Sequence, residues 1–255
     1  MYKDSRHDLP QNPQGNQNHI INNPGNKALN WACILFACAT PVFAANVTVI
    51  NASFEDPTGL KLCNTVPPLY PAGCRFSSGP PTGWTPVNSI DGYAGTFQPS
   101  TVPNAAFVKL GDLLSNAFIN GNGTGNGGGN TAGAYLTQTV AANTFAGTTY
   151  TLMVDLGWRS DNVAFVSEAD LIINGTTVIK AQGTPPAQGY FSTFTATYVA
   201  ATAGQSIAIK LLNTGASQAN FDNVILNAIP EPGTIALSAL GLGMLAFRLR
   251  RRRSN

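Results

Sequence analysis

Residues 45–229 consist of short segments in which β-branched and aromatic residues alternate with polar ones, with Gly, Asn and Pro between the segments. Alternation with a period of two over segments this short is typical of β-strands that bury one face. Asn174-Gly175 stands between two of them, 170–173 and 177–179, and this dipeptide is the strongest short-range signal for a hairpin. The sequence therefore predicts an all-β domain of eight or nine strands, a jelly-roll β-sandwich. The strands are predicted at 46–50, 105–110, 134–140, 149–157, 170–174, 177–179, 191–200, 206–212 and 221–227.

Residues 1–44 have the pattern of a secretory signal peptide with a polar N-terminal extension. An apolar stretch follows Lys27 and closes on small residues, which is the arrangement that signal peptidase cleaves. We predict cleavage between Ala44 and Ala45. A lipoprotein signal ending at Cys38 is the alternative, but the bulky Phe36 stands where such a signal carries a small residue. The domain is therefore expected to be exported.

Residues 230–255 combine three features in order: Pro230-Glu231-Pro232, an apolar run at 234–247, and a cluster of arginines. The apolar run has 14 residues, whereas a comfortable membrane span needs about 20. With arginine side chains reaching the cytoplasmic headgroups, the run makes a short transmembrane helix that keeps the domain on the outer side.

This C-terminal arrangement resembles the PEP-CTERM sorting segment, which is recognised by exosortase, a membrane peptidase. The resemblance implies that Pro230, Glu231 and Pro232 form the recognition motif and that processing releases the domain from a transient membrane helix. It also implies a protein of the cell surface or the exopolysaccharide matrix, with exosortase and signal peptidase as its processing partners. The alternative is a plain tail anchor, which would make the chain an unprocessed surface adhesin.

Charge and cysteine content narrow the function classes. Residues 45–229 contain six Lys or Arg and nine Asp or Glu, a formal charge of about −3, so the basic stripe of a nucleic-acid-binding protein is missing. Cys63 and Cys74 are the two cysteines of this part, and in an oxidising compartment we expect them to form a disulfide. Two free thiols or half of a zinc site are the alternatives, but zinc would need further ligands and residues 45–229 contain no histidine.

Several segments resemble the galactose-binding-like jelly rolls that serve as carbohydrate-binding modules. They are NASFE at 51–55, GW at 83–84, AGTTYTLMVDLG at 146–157, FSTFTATY at 191–198 and NFDNVIL at 220–226. In such modules the first and last strands are neighbours, and the resemblance implies a structural Ca²⁺ held there by Glu55, Asp222 and backbone carbonyls. Calcium takes six to eight oxygen ligands, so two carboxylates are an incomplete set. Alternatively, Asp222 caps a turn and Glu55 lies in solvent.

Four aromatic residues are candidate platforms on which a sugar ring can stack, because an aromatic face is apolar and rigid. They are Trp84, Tyr93, Trp158 and Tyr190. The alternative for each is packing in the core or against a loop.

The domain carries no enzyme signature. Without histidine, a Ser or Cys nucleophile lacks its usual base. Acids such as Asp155 with Glu168 or Asp170 would have to face each other at a set distance across a cleft to act as a glycosidase. We therefore expect a non-enzymatic structural or glycan-binding module, which would bind exopolysaccharide in the latter case, and an envelope carbohydrate-active enzyme is the alternative.

Overall fold

The computed structural model describes residues 44–56, 59–63, 74–77, 79–90, 93–99, 106–123, 129–231, 241 and 243–244. Within these residues the chain folds as a jelly-roll β-sandwich of thirteen strands, which confirms the predicted fold class. The strands are β1 (Ala45–Val47), β2 (Lys61–Leu62), β3 (Arg75–Ser77), β4 (Thr85–Val87), β5 (Ala94–Gln98), β6 (Asn116–Ile119), β7 (Tyr135–Asn143), β8 (Thr148–Trp158), β9 (Ser167–Ile173), β10 (Thr177–Lys180), β11 (Tyr190–Val199), β12 (Ser206–Asn213) and β13 (Ala219–Pro230).

The predicted secretory signal, and the predicted membrane helix apart from residues 241 and 243–244, lie outside the described residues; these three positions are helical. In the part of the chain that is described, no helix has the length and apolar character needed to cross a membrane.

The strands form two antiparallel sheets. The larger sheet has the order β11-β8-β13-β6-β5-β3-β2, and β1 pairs with β13 outside this path. The smaller sheet has the order β10-β9-β12-β7-β4. The pairing of β1 with β13 confirms that the first and last strands are neighbours.

The long strands lie where the alternation predicts them, and so does the hairpin. β7, β8, β9, β11, β12 and β13 each overlap a predicted segment. Across Asn174-Gly175, β9 pairs antiparallel with β10, and the two turn residues have φ of 53° and 69°. Positive φ at both central positions is the geometry that an Asn-Gly hairpin turn requires.

The strand predicted at 105–110 is wrong, because the described residues 106–110 form no strand and instead cover the larger sheet. Phe107 and Leu110 are buried there against Phe97 of β5 and Phe118 of β6. This cluster lies on the outer face of the sheet, since Ala117, the neighbour of Phe118, belongs to the core between the sheets. The larger sheet is therefore covered on both faces over β5 and β6.

The predicted disulfide between Cys63 and Cys74 is confirmed, with the two Cα atoms 5.5 Å apart. It joins the ends of β2 and β3, and the Cys63 amide also donates a hydrogen bond to the Cys74 carbonyl at 2.9 Å. Closing a loop of this length removes chain entropy from the unfolded state, which stabilises the fold by about 3 kcal/mol.

The sandwich has two poles, which orient it relative to the chain ends. At the tail pole, Ala45 of β1 pairs with Ala228, and Pro230, the last residue of β13, pairs with Thr148. Trp158, at the other end of β8, marks the distal pole. At the usual rise per strand residue, β8 separates the two poles by about 33 Å.

Candidate functional site

Trp84 lies in the core, unlike the other three predicted sugar platforms. Only 4% of its surface is exposed, and its ring packs against Phe54 with centroids 5.5 Å apart. A sugar ring has no access to it. Tyr93 and Trp158 are half-buried and Tyr190 is 40% exposed, so these three keep accessible surface.

Trp158 and Tyr190 stand side by side at the distal pole, since they are register partners in β8 and β11. The Trp158 indole nitrogen Nε1 donates to the Asn162 carbonyl at 3.2 Å, which fixes the ring. Tyr93 is at the same pole, because it directly precedes β5 and its carbonyl accepts from the Asn120 amide, just after β6. The three accessible platforms therefore share the pole farthest from both chain ends of the domain.

A line of aromatic rings leads from Trp158 into the sandwich. Its ring is 6.4 Å from that of Phe165, which stacks on Phe194 with centroids 5.7 Å apart and planes inclined by 23°. Sequence reasoning missed both phenylalanines. Phe194 alternates within a strand like any core residue, and Phe165 lies in a connection between strands, so neither carries a distinguishing sequence signal.

Phe165 and Phe194 line a pocket of about 190 Å³. Its other lining residues are Leu156, Ser167, Glu168, Lys180, Ala181 and Thr214. Lys180 forms an ion pair with Glu168, and their side chains are 57% and 17% exposed. The Ser167 and Thr214 hydroxyls donate to backbone carbonyls at 3.0 Å. The pocket thus offers aromatic walls and one charged pair, with room for about six water molecules at the 30 Å³ that each occupies in the liquid.

Glu55, a predicted calcium ligand, holds the loop that precedes β6. Its Oε1 accepts hydrogen bonds from the Leu114 and Ser115 amides at 2.8 and 2.6 Å, and its Oε2 accepts from the Ser115 hydroxyl at 3.3 Å. Both carboxylate oxygens are therefore engaged by protein donors, and Glu55 does not simply lie in solvent.

Asp222, the other predicted ligand, is fully buried on the outer face of the larger sheet. Its oxygens accept from the Asp112 and Asn223 amides at 2.8 and 2.9 Å. Burial, assisted by the nearby carboxylates of Asp112 and Asp155 and opposed by the two amides, raises the pKa of Asp222 to about 8. Asp222 therefore keeps its proton at neutral pH.

Asp155 is the register partner of Asp222 across β8 and β13. Its Oδ1 accepts from the Thr193 hydroxyl at 2.5 Å and its Oδ2 from the Asn223 side-chain amide at 3.1 Å. A Cβ atom built on Gly111 would approach Asp222 Oδ2 to 3.0 Å and Asp155 Cβ to 3.1 Å, so a larger residue would push the covering loop or the acids apart by a few tenths of an ångström. The structure thus sets Asp155 beside Asp222, not beside Glu168 or Asp170, which lie on β9 in the other sheet.

Asp112 connects this pair to the N-terminal motif, and sequence reasoning missed it. Its Oδ2 accepts from the Ser53 hydroxyl at 2.9 Å, whereas its buried Oδ1 has no hydrogen-bond partner among the described residues. Nevertheless, the described residues include no group of three or more His, Cys, Asp or Glu that encloses a metal position. Glu55, Asp112 and Asp222 are linked through the loop at 111–115 without forming a closed cage.

The sorting motif begins within the folded domain. Pro230 closes β13, and the Glu231 amide donates to the Gly147 carbonyl at 2.9 Å. Pro232 lies outside the described residues. At the other chain end, Ala45 is the first residue of β1, so the predicted cleavage after Ala44 leaves the whole strand in place.

Residues 45–227 match the family model described as HpiC1 cyclase. The chain belongs to the HpiC1-like family. Residues 228–253 match the PEP-CTERM protein-sorting motif, so the chain is an exported protein of the cell envelope. None of the curated proteins compared with it matches.

Solved structures similar to this HpiC1-like domain include several carbohydrate-binding modules, a phage tailspike domain and an adhesin domain of Lys-gingipain. The CBM22-1 xylan-binding domain of Paenibacillus barcinonensis Xyn10C is 11% identical with a TM-score of 0.37, covering 60% of this chain and 89% of that one. A structure described as a CBM4 is 15% identical with a TM-score of 0.31, covering 71% and 99%. The CBM22-1-GH10 modules of Clostridium thermocellum endo-1,4-β-D-xylanase 10B are 15% identical with a TM-score of 0.36, covering 58% of this chain but only 26% of the xylanase chain. The likeness is one of fold.

Proposed function

We propose that the chain is a non-enzymatic protein that exosortase releases to the cell surface or into the exopolysaccharide matrix. The observation that carries the proposal is the PEP-CTERM match at 228–253, which directly follows the domain match at 45–227. Signal peptidase removes the leader at Ala44, and the C-terminal segment holds the domain at the outer side of the membrane until processing. The released sandwich then acts as a structural or glycan-binding module.

Glycan binding is assigned to the distal pole. Tyr93, Trp158 and Tyr190 lie there, while both ends of the domain lie at the tail pole. A domain tethered at the tail pole presents the distal aromatics outward, toward the matrix. Aromatic faces bind apolar faces of sugar rings, and the pocket beyond Trp158 adds the Glu168–Lys180 pair for hydroxyl groups.

Tyr190→Ala combined with Trp158→Phe should weaken binding to the recognised polysaccharide about fivefold, because Tyr190→Ala removes one stacking contact of about 0.5–1.5 kcal/mol and Trp158→Phe makes the second one smaller. Affinity gel electrophoresis against a panel of polysaccharides, including the matrix of the source cells, measures the change. Phe145→Ala is the matched control, since Phe145 is an exposed aromatic at the tail pole. If no polysaccharide is bound, or if both variants bind as the unaltered protein does, the distal pole is not the glycan site.

A structural calcium ion remains part of the proposal, with Glu55 and Asp222 as the carboxylates that would hold it together with backbone carbonyls. The buried Oδ1 of Asp112, which has no hydrogen-bond partner among the described residues, supports a cation here. So does the charge around Asp222, since the carboxylates of Asp112 and Asp155 raise its pKa and no described basic side chain lowers it. The ion would replace the amide donors that now bond Glu55 and Asp222. It would fix the covering loop to the first and last strands.

An envelope enzyme is the second candidate function. The family is named after a cyclase, and the favouring observation is the Asp155–Asp222 pair, in which Asp222 keeps a proton at neutral pH. A carboxyl group that stays protonated at neutral pH is able to donate a proton. Both acids lie under residues 106–115, so this loop would have to open for a substrate.

If the chain is an enzyme, its turnover should disappear in Asp155→Asn. It should persist in Asp56→Asn, which alters an exposed acid. Incubation with a panel of polysaccharides, followed by mass analysis of the products, tests the carbohydrate-active form of this candidate. An unchanged panel with every variant removes the carbohydrate-active form of this candidate.

A further inference from the structure

Three large apolar side chains are exposed together at the tail pole. Phe145 is 70% exposed, Val199 53% and Ile229 43%. Val199 and Ile229 flank Thr149, because both are its register partners in the neighbouring strands. Phe145 lies in the adjacent turn, because Gly147 of that turn is hydrogen-bonded to Ala200 and Glu231. Single exposed apolar residues are ordinary, but several close together indicate an interaction site. We name Phe145, Val199 and Ile229 the tail patch.

The backbone that presents Phe145 is fixed by hydrogen bonds. The Gly147 amide donates to the Ala200 carbonyl at 2.8 Å, and the Thr144 hydroxyl donates to the Thr202 carbonyl at 2.9 Å. The Phe145 amide donates to the Tyr150 hydroxyl at 3.0 Å. Phe145 is therefore held outward by an ordered pair of turns.

The surroundings of the tail patch are almost uncharged. Glu231 is the one charged residue within the sequence segments 143–148, 173–177, 199–206 and 228–231. In contrast, the connection at the distal pole carries Arg159 and Asp161. Neutral polar residues beside apolar ones suit the boundary between headgroups and acyl chains, in which surface-bound proteins bury apolar side chains.

The chain leaves the domain directly beside the tail patch. Glu231 is bonded to Gly147 in the turn that carries Phe145, and only Pro232 and Gly233 separate it from the apolar run. Three residue steps reach at most about 10 Å. The run has 14 residues, fewer than the about 20 that a comfortable membrane span needs. Such a short span thins the bilayer or draws its flanking residues toward it.

We propose that the tail patch rests on the outer leaflet of the membrane that holds the C-terminal segment. The inference rests on the membrane-inserted stage of the sorting route proposed above. Contact with the leaflet buries Phe145, Val199 and Ile229 and sets the distal pole away from the membrane. Once exosortase has cut the chain, the patch alone still contacts the membrane. The domain then leaves the membrane, and the patch becomes exposed to water, if this contact by itself is weak.

The test places a polarity-sensitive fluorophore at the patch. The chain from Ala45 to Asn255, without the predicted leader, carries Ala146→Cys and is reconstituted into phosphatidylethanolamine–phosphatidylglycerol vesicles with brominated acyl chains. Two comparison proteins carry the label at Val163→Cys, on a residue 91% exposed in the distal connection, and at Ala239→Cys in the apolar run. We expect the label at position 146 to lose more than half of its emission to the bromines and position 163 to lose almost none.

A second variant separates contact from mere tethering. Adding Phe145→Ser to the protein labelled at position 146 should reduce its quenching toward that of position 163. Quenching at 239 with none at 146, or quenching at 146 that Phe145→Ser leaves unchanged, overturns the proposal while the membrane-inserted stage stands. Absence of quenching at 239 removes the membrane-inserted stage itself, and the tail-patch proposal fails with it.

Discussion

Asp222→Asn should flatten the pH dependence of the domain's stability. The pKa of Asp222 is about 8 in the folded state, against an ordinary value of 3.8, so the folded chain holds a proton that the unfolded chain has released. This stabilisation is complete below about pH 4 and is lost as the pH rises through about 8. Over this window the free energy of unfolding should fall by up to about 1.4 kcal/mol per pH unit. Summed over the whole window, this fall in the free energy of unfolding is one of the two largest effects that we expect.

Urea unfolding followed by tryptophan fluorescence, repeated across the window in the presence of a chelator, measures the slope. In Asp222→Asn the free energy of unfolding should decline only slightly with pH. Asp170 contributes to this decline, because burial and the Glu168 carboxylate raise the pKa of Asp170 as well. Asp56→Asn removes an exposed carboxylate and should follow the unaltered protein. If stability rises between these limits in the unaltered protein, Asp222 is ionised in the fold and its proton plays no part.

Calcium would change the sign of this dependence, which makes the same titration a test for the ion. A carboxylate that binds calcium must be ionised, so bound calcium lowers the pKa of Asp222 and ties stability to higher pH. The melting temperature with calcium should then exceed that with chelator by a margin that grows with pH. Equal melting temperatures at every pH would remove calcium from the proposal and leave the Asp222 prediction intact.

The sequence predicts the strands with a clear alternation and misses β5 and β6, which are covered on both faces, as well as the short β2, β3 and β4. β11 and β12 alternate clearly because their outward residues meet solvent, as the exposed Thr195 and half-buried Lys210 show. All four residues of β6 are buried, since residues 106–110 cover its outer face. Because both faces of β6 are buried, its residues do not alternate with a period of two. The covering residues 106–110 do alternate, although they form no strand.

The candidate site is predictable only in its residue types. Trp84 and Trp158 give the same signal in sequence, yet one packs on Phe54 and the other stands at a pole, because exposure depends on how distant segments assemble. Asp112 lies in a loop without a motif, and its partners Ser53 and Asp222 are far away in the chain. Only the folded arrangement identifies such a residue.

Replacing Pro230, Glu231 and Pro232 together with alanine should abolish release of the domain. Prolines restrict the backbone on both sides of the glutamate to extended conformations, and we expect recognition of the motif to depend on that shape together with the charge. In the unaltered cells, fractionation and intact mass should find a protein that begins at Ala45 and ends near Pro232 in the surface or medium fraction. The variant should remain in the membrane fraction with Asn255 as its last residue, and Asp56→Asn should be released normally. A C-terminus at Asn255 in the membrane fraction of unaltered cells would instead identify a tail-anchored adhesin.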